Sequence, residues 1–380
     1  MRILLPILAL WGLLEGCTTG KTALRHGRFD DAVLQSVQRL RQKPTHLEAR
    51  TVLKTAYEGA SRAHQTRIQS LIRTDDPYRW ELVFQEYGRL QSLNDRVRTC
   101  PACAELLADF PLSLQDRMQE VRQLAAAARY QLAQQAFEFR TSNRLAARDA
   151  YQDFRKAEEW VPGYRDARPK ADEAFRYATL RVVIEPLELT AVLRPDDRID
   201  LQRLIFREVL RRESPSHFVR FLDRTMAEED DLPANHLIQM AVTDYDPYDE
   251  STSSSSTSVE SSQAYKVGTK KINDSTTVDV YEKVKGTLTT YRREVRSGLK
   301  LRIRAVDLQS DKVVWDDALW ATESWTDEWH SFSGDERALN GMSLKTTAGF
   351  TPSTWSLLDK MMSSMAGSVG SRLRKEYRSY

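Results

Sequence analysis

The stretch LLEGCTTGKTA, residues 13–23, contains elements of two different chemistries. Its Gly-Lys-Thr is typical of the end of a phosphate-binding loop, in which backbone N–H groups wrap the phosphates and the lysine reaches them. Such a loop requires a glycine five positions before Gly20, but that position is Glu15. Because a carboxylate there would repel a phosphate, the sequence argues against a nucleotide site.

An apolar N-terminal run offers another explanation of the same stretch. Residues 3–14 form a run of 12 apolar residues behind a short basic start. The run is too short to cross a bilayer and is typical of the core of a signal peptide. We therefore predict a signal peptide over residues 1–16, with a simple cleaved leader and a lipoprotein leader as the two alternatives.

Leu14-Glu15-Gly16-Cys17 resembles the processing box of bacterial lipoproteins, although Glu15 is unusual at the variable site. The resemblance implies cleavage before Cys17, lipid attachment to its sulfur atom and acylation of its new amino group. Several acyl chains make such an anchor effectively permanent. Thr18 rather than aspartate after the cysteine implies the outer membrane. Residues 17–20 would then be the lipidated cysteine and a linker.

The two remaining cysteines, Cys100 and Cys103, form a Cys-x-x-Cys motif. Thioredoxin-like chemistry places that motif between a strand and a helix, whereas the flanking segments here have helical patterns. Zinc would need two further ligands, and no second Cys-x-x-Cys exists. A local structural disulfide or a free pair is the leading interpretation, and a redox role is the alternative.

The composition favours a non-enzymatic protein without a nucleic-acid partner. With 56 basic and 54 acidic residues the net charge is +2, so charge alone implies no polyanion partner. There is no His-Glu-x-x-His and no Gly-x-Ser-x-Gly motif. We predict no catalytic residues, no cofactor and no metal site. The histidines are scattered along the chain at positions 26, 46, 64, 217, 236 and 330.

Four tryptophans lie within 15 residues, among several carboxylates. Aromatic side chains beside carboxylates can bind glycans or peptides, and tryptophan is enriched in protein interfaces. Packing of a hairpin against a helix is the alternative use. The candidate partner surface consists of Trp315, Trp320, Trp325 and Trp329.

Residues 21–177 have a helical pattern with almost no strand-like alternation. The segment from Gly27 to Pro44 resembles a tetratricopeptide repeat, in which glycine provides the turn, Ala32 permits close helix packing and proline ends the second helix. The resemblance implies a TPR-like helical domain with a protein-binding surface. A second, less complete copy of the spacing consists of Ala150, Ala157 and Pro162.

The pattern changes after residue 178, where strand-like alternation begins. We predict a mixed α/β domain over residues 178–380, with the order strand, helix, strand, strand, insert, strand, strand, helix. The last helix begins near residues 351–352. Its predicted buried stripe is Trp355, Leu358, Met362, Met365, Val369 and Leu373. The predicted fold class of the whole chain is therefore α+β.

That order of elements resembles the periplasmic domain of the curli-secretion-channel superfamily, a domain type shared with lipoproteins that activate penicillin-binding proteins and with TolB. The closest local likeness lies in PANHLIQMAVTDY, residues 233–245, and LKLRIRAVDLQSDKVVW, residues 299–315. The resemblance implies an envelope protein that docks on other envelope proteins or assembles with its own copies.

The polar insert, residues 247–297, is the least conventional segment. In secretion channels the corresponding region supplies membrane-spanning hairpins. Here Glu282 and Gly286 interrupt the face formed by alternating apolar residues, and the serine tract of residues 251–258 has no apolar face. We expect an extended soluble hairpin with a mobile serine tract, and a pore hairpin is the alternative.

The sequence thus predicts a lipid-anchored adaptor of the outer membrane that faces the periplasm. Its expected partners are other envelope proteins, the membrane through the lipid anchor, and further copies of itself. The alternative is a subunit of an oligomeric outer-membrane secretion channel. A third alternative, a cell-wall-processing enzyme or a redox protein that uses Cys100 and Cys103, requires both sulfur atoms to be accessible.

Overall fold

The computed structural model of the protein describes residues 19–273 and 276–380. The predicted signal peptide and Cys17 lie outside the described residues. The chain divides between Ala178 and Thr179 into two compact units, one residue after the boundary expected from the sequence. The fold class is α+β: the described residues form eleven α-helices and one mixed five-stranded sheet.

The first unit is entirely helical in its described part. Its loops provide local caps: the Asn143 side chain accepts hydrogen bonds from the N–H groups of Leu145 and Ala146, which begins α7. The eight helices are α1 (Lys21–Arg25), α2 (Phe29–Gln42), α3 (Leu47–Ile72), α4 (Arg79–Arg98), α5 (Pro101–Leu106), α6 (Gln115–Phe137), α7 (Arg144–Trp160) and α8 (Ala167–Ala178).

Small buried residues and a few polar bridges hold these helices together. Many core positions are alanines, which let helix backbones approach closely. Arg129 of α6 forms ion pairs with Glu81 of α4 and Asp153 of α7, at 2.5 Å in both cases. Burial raises the pKa of the Asp153 carboxyl, and the Arg129 guanidinium opposes that shift.

The residues of the tetratricopeptide-like pattern have the local roles expected of them. Gly27 has φ 70° in the turn before α2, Ala32 is fully buried, and Pro44 follows the end of α2. However, α3 has 26 residues, whereas a repeat of 34 residues leaves about 14 for each helix. The identity of these helices as tetratricopeptide repeats therefore stays a prediction.

The second unit is built around the sheet. The strand order is β2-β1-β3-β4-β5, with β1 parallel to β2 and β3 and the other pairs antiparallel. Its elements are β1 (Leu180–Ile184), α9 (Pro195–Leu210), β2 (Val219–Leu222), α10 (Arg224–Glu228), β3 (His236–Asn273), β4 (Thr276–Asp307), β5 (Lys312–Gly334), a 3₁₀ turn (Glu336–Leu339) and α11 (Thr354–Glu376).

The predicted insert is not a separate element. Strands β3 and β4 continue through it, with 38 and 32 residues, and β5 follows β4 as far as Gly334. The serine tract, expected to be mobile, is part of β3 and pairs with β4. Its composition gave no strand signal because pairing with β4, rather than an apolar face, supports it. We call β3, β4 and β5 together the ribbon.

Alternation along the ribbon gives it two different faces. Leu299, Leu301 and Ile303 of β4 are fully buried in a core that includes residues of α9 and α11, and we call this the covered face. The intervening residues Lys300 and Arg302 lie on the opposite side, the open face. A one-residue shift of β4 would exchange these two sets completely.

Helix α11 covers the sheet with most of the stripe expected from the sequence. Leu358, Met362, Met365, Val369 and Leu373 are buried. The prediction was wrong for Trp355, which is 59% exposed. It lies in the first turn of α11, and the buried stripe begins after it, at residues 357 and 358.

Leu301→Ala tests whether β4 is the centre of this core. We expect the variant to lose about 3 kcal/mol of unfolding free energy, because a fully buried leucine leaves a cavity when truncated. Thr322→Ala, at an exposed position of β5, is the control and should change the value by less than about 0.5 kcal/mol. Urea unfolding followed by circular dichroism measures both, and equal losses would contradict the assignment of the faces.

Candidate interaction surface

The four tryptophans of β5 do not share one surface. The pairing of β5 with β4 is regular from Trp315 to Gly334, so odd-numbered and even-numbered residues lie on opposite faces. Trp315, Trp325 and Trp329 lie on the covered face, and Trp320 lies on the open face. The prediction of one surface with four tryptophans was therefore wrong, because alternate residues of a strand point to opposite faces of the sheet.

Two of the tryptophans on the covered face have their rings in contact with other side chains. The Arg372 guanidinium of α11 lies 5.6 Å from the ring centre of Trp315, which packs against the core. Trp329 stacks on Tyr291 with ring centres 5.4 Å apart, and Arg293 lies 5.2 Å from the same indole. Trp315 and Trp329 therefore pack against side chains of their own unit.

Trp320 is the exposed one of these four tryptophans, whereas Trp315, Trp325 and Trp329 are partly buried. Its side chain is 59% exposed on the open face, and the Lys300 ammonium lies 4.5 Å from its ring centre. Its strand neighbours Ala318 and Thr322 are small and exposed, and Gly298 pairs with Thr322. The indole therefore has small side chains as its neighbours along β5 and the Lys300 ammonium as its neighbour on β4.

Basic side chains of β4 continue along the same face, but they are engaged by neighbours. Arg302 donates to Asp316 through Nε at 3.0 Å, and this hydrogen bond lowers the pKa of the Asp316 carboxyl. Arg304 donates through Nε to the amide oxygen of Gln239 at 2.8 Å. A cleft of about 460 Å³ beside both arginines has polar and apolar walls, and the Nε groups of both arginines are already hydrogen-bonded.

Cys100 and Cys103 form a disulfide at the start of α5. Their exposed fractions are 1% and 0%. The redox alternative requires accessible sulfur atoms, because a thiolate of the partner must reach one of them. The burial instead favours a structural role inside the helical unit.

His64 is the centre of a polar cluster in the helical unit. Its Nδ1 lies 2.9 Å from Glu86 of α4, and its Nε2 lies 3.2 Å from Asp30 of α2. The other oxygen of Glu86 accepts from Arg89 at 2.7 Å. Among the described residues, neither ring nitrogen bonds a serine, threonine or cysteine side chain, as a nucleophilic triad would require. The cluster therefore joins three helices.

The chain after β5 forms a strap, residues 335–353, that returns along the ribbon to α11. Asn340 accepts from the N–H of Ser262 at 2.6 Å and donates to the carbonyl of Glu260, which ties the strap to β3. The N–H of His330 donates to the carbonyl of Lys345 at 2.7 Å, so the strap also occupies the outer edge of β5 at that position.

Asp327 holds the strap from the covered face. Its carboxylate pairs with the Lys345 ammonium and accepts from the N–H of Gly349. The Lys345 ammonium first, and then the Gly349 N–H, lower the pKa of this carboxyl. No sequence pattern predicts this contact, since residues 335–353 have no apolar period. Asp327 is one of the carboxylates near the tryptophans in sequence, but its partners, Lys345 and Gly349, come from the strap.

The described residues contain no group of three or more His, Cys, Asp or Glu side chains arranged to hold a metal ion. In the same part of the chain, no helix is both long enough and apolar enough to span a membrane. Lipidation of Cys17 concerns residues outside the described part.

No protein-family model and no curated protein matches the chain. Among solved structures, the crystal structure of a neuraminyllactose-binding hemagglutinin homolog from Helicobacter pylori is similar over 52% of this chain and 82% of that chain, with 11% identity and a TM-score of 0.23. A score this low carries no argument about the fold or the function.

Removal of the disulfide should destabilise the helical unit. For a closed loop of four residues the chain-entropy relation gives about 2 kcal/mol. We expect Cys100→Ala/Cys103→Ala to lose about that amount in urea unfolding, and dithiothreitol to have a similar effect on the parent protein. All samples carry Cys17→Ala, so that no third thiol contributes. An unchanged unfolding free energy on reduction would contradict a structural role.

The strap contact should depend on the charge of Asp327. Because its folded pKa is lowered, the contact is complete above the ordinary carboxyl range and is lost as the pH falls through the lowered value. At neutral pH, Asp327→Asn should therefore resemble the acid form and speed tryptic cleavage after Lys345. Glu328→Gln, the exposed neighbour on the open face, is the matched control. Equal cleavage rates of the two variants would contradict the role of Asp327.

Proposed function

We propose that the protein is a non-enzymatic, lipid-anchored adaptor of the bacterial outer membrane that faces the periplasm. In this proposal the lipid is attached to Cys17 and anchors the protein to the membrane. The helical unit, with TPR-like repeats, binds other envelope proteins, and the α/β unit docks on envelope machinery or on further copies. Neither nucleic acid nor a cofactor takes part.

The observation that carries the proposal is the open face of the ribbon around Trp320. A large aromatic side chain that is mostly exposed amid small and charged neighbours is typical of an interface anchor. The covered face already has its partners in α9 and α11. The open face at Trp320 has the exposure that a docking surface needs.

A secretion-channel subunit is the second candidate, favoured by the length of the ribbon. Strands β3 and β4 continue beyond the end of β5 as a two-stranded ribbon. Subunits of secretion channels contribute hairpins of this kind to a shared barrel. Against a lipid-facing role, Glu282 lies on the same face as Val280 and Val284. Rings of the detergent-extracted protein in electron micrographs would favour this candidate over the adaptor.

Two matched tryptophans allow a direct test of the open face. Trp320 and Trp355 have the same exposed fraction, 59%, but Trp355 lies at the start of α11. A photo-crosslinking amino acid at Thr322 should form adducts with an envelope protein in the living bacterium. We expect Trp320→Ala to reduce the adducts at least about tenfold, the effect of losing an anchor of about 1.4 kcal/mol or more.

Trp355→Ala should leave those adducts unchanged, because it removes the same side chain from another surface. Equal losses in both variants would indicate a general effect of surface tryptophans. Adducts that persist in Trp320→Ala would contradict the assignment of the open face as the docking surface. The anchor is tested separately: Cys17→Ala should lose all membrane association.

A further inference from the structure

Three aspartates of β3 form a row on the open face. Residues that are paired across antiparallel strands share a face, and the open face contains the even-numbered residues of β4. The partners of these aspartates on β4 are all even-numbered: Lys300 for Asp244, Gly298 for Asp246 and Arg296 for Asp249. We call Asp244, Asp246 and Asp249 the aspartate row. Successive members lie about 6.8 Å apart, because each step along β4 covers two residues.

The carboxylates of the aspartate row have no cationic partners. All three side chains are exposed, and none of them forms an ion pair with residues 19–273 or 276–380. The basic residues opposite them on β4 are engaged elsewhere. Arg296 pairs with Glu294 at 2.8 Å, and the Lys300 ammonium lies 4.5 Å from the ring centre of Trp320. The open face therefore presents three carboxylates that have no ion-pair partner in this part of the chain.

The centre of this surface has room for a side chain of a partner. Gly298 lies between Asp246 on one neighbouring strand and Thr322 on the other. A Cβ atom at Gly298 would meet no atom within 4 Å. Trp320, which is 59% exposed, lies in the adjacent row of cross-strand pairs. An arginine that enters above Gly298 can therefore approach a carboxylate and an indole ring at once.

We propose that the open face binds a segment of a partner protein with basic residues at alternate positions, which pair with the aspartate row. This inference rests on the proposed function and names the chemistry of the partner that the Trp320 surface takes. In an extended segment, alternate side chains point to the same side at the same spacing of about 6.8 Å. Arginine suits the position above Gly298 better than lysine, because a guanidinium forms two hydrogen bonds with a carboxylate and stacks on aromatic rings.

The charge of the aspartate row opposes partners that carry phosphate groups. Anionic lipid headgroups and nucleic acids would bring phosphates against exposed carboxylates, and like charges at an interface repel each other. A basic segment instead neutralises the row, and the same attraction speeds its association. The charge therefore favours a basic protein segment over a membrane surface.

Like charges also oppose a second copy on this face. Two open faces can pack about β4 with a two-fold axis that runs either along or across the strand. In both arrangements β4 faces β4, so its basic residues meet each other. With the axis across the strand, the two aspartate rows also meet. With the axis along the strand, the aspartate row faces uncharged residues of β5: Trp320, Thr322 and Ser324. Neither arrangement provides cations for the aspartates.

The experiment is ¹⁹F NMR of the full-length protein, labelled with fluorotryptophan, in an uncharged detergent. The probe is the acetylated and amidated peptide TRTRTRT, which should shift the Trp320 resonance, assigned with Trp320→Phe. The Trp315 resonance should not move, because this indole packs against the core. The peptide TTRRRTT has the same composition without the alternation, and its half-saturating concentration should be at least about threefold higher. The acidic peptide TETETET should cause no shift.

Asp244→Asn/Asp246→Asn/Asp249→Asn removes the charges of the aspartate row and keeps the shapes of its side chains. The half-saturating concentration of TRTRTRT should rise at least about tenfold, because three exposed ion pairs are lost together. An unchanged Trp315 resonance shows that the variant is folded.

Asp75→Asn/Asp172→Asn/Asp359→Asn is the matched control. It removes three exposed negative charges from the segment before α4, from α8 and from α11. The net charge of the protein therefore changes by the same amount as in the aspartate-row variant. The control should bind TRTRTRT as the parent protein does, because the aspartate row is intact.

Four outcomes would overturn the inference. The first is no shift of the Trp320 resonance by TRTRTRT, and the second is equal binding of TETETET or TTRRRTT. The third is equal binding of the probe by the aspartate-row variant and the parent protein. The fourth is a Trp320 resonance that moves with protein concentration alone, which would identify a second copy as the occupant.

Crosslinking at Thr322 in the bacterium tests the proposed function separately. If Trp320→Ala loses the adducts while TRTRTRT does not bind, the docking surface stands and its basic partner is refuted. If the adducts persist in Trp320→Ala, the proposed docking surface itself is refuted, whatever the probe does.

Discussion

The alternation of side chains along β4 is the constraint on which the second unit depends. The strand pairs with β3 on one side and with β5 on the other over most of its length. Its odd-numbered residues near the helices are apolar and buried, and its even-numbered residues are mostly basic. The ladder transfers this parity to both neighbours, so β4 decides which residues of β3 and β5 face the helices and which face solvent.

That transfer explains where the sequence was informative and where it was not. The hairpin of residues 299–315 and most of the stripe of α11 could be predicted, because burial on one face produces a period that can be read locally. The faces on which the four tryptophans lie could not be predicted, because they depend on how β5 pairs with β4. The serine tract has no apolar period of its own, and its strand conformation depends on pairing with residues 287–294 of β4, which are distant in sequence.

The contacts of the strap depend even less on local sequence. Asp327 and Lys345 are ordinary surface residues by composition, and their pairing follows only from the return of the chain along the ribbon. The Cys-x-x-Cys motif presents the opposite case. Its residues and the helix after it could be identified, yet burial decides against a redox use of Cys100 and Cys103, and burial depends on the packing of helices distant in sequence.

The bulges of β3 have a consequence for how this protein can change in length during evolution. Five irregularities separate the paired stretches of β3: relative to β4, the one between Glu260 and Ala264 accommodates two extra residues of β3, and the other four accommodate one each. Insertion of one residue in β3 can therefore be absorbed locally. In β4 a single insertion would turn every later side chain to the wrong face, so that strand can be expected to lengthen or shorten by two residues at a time.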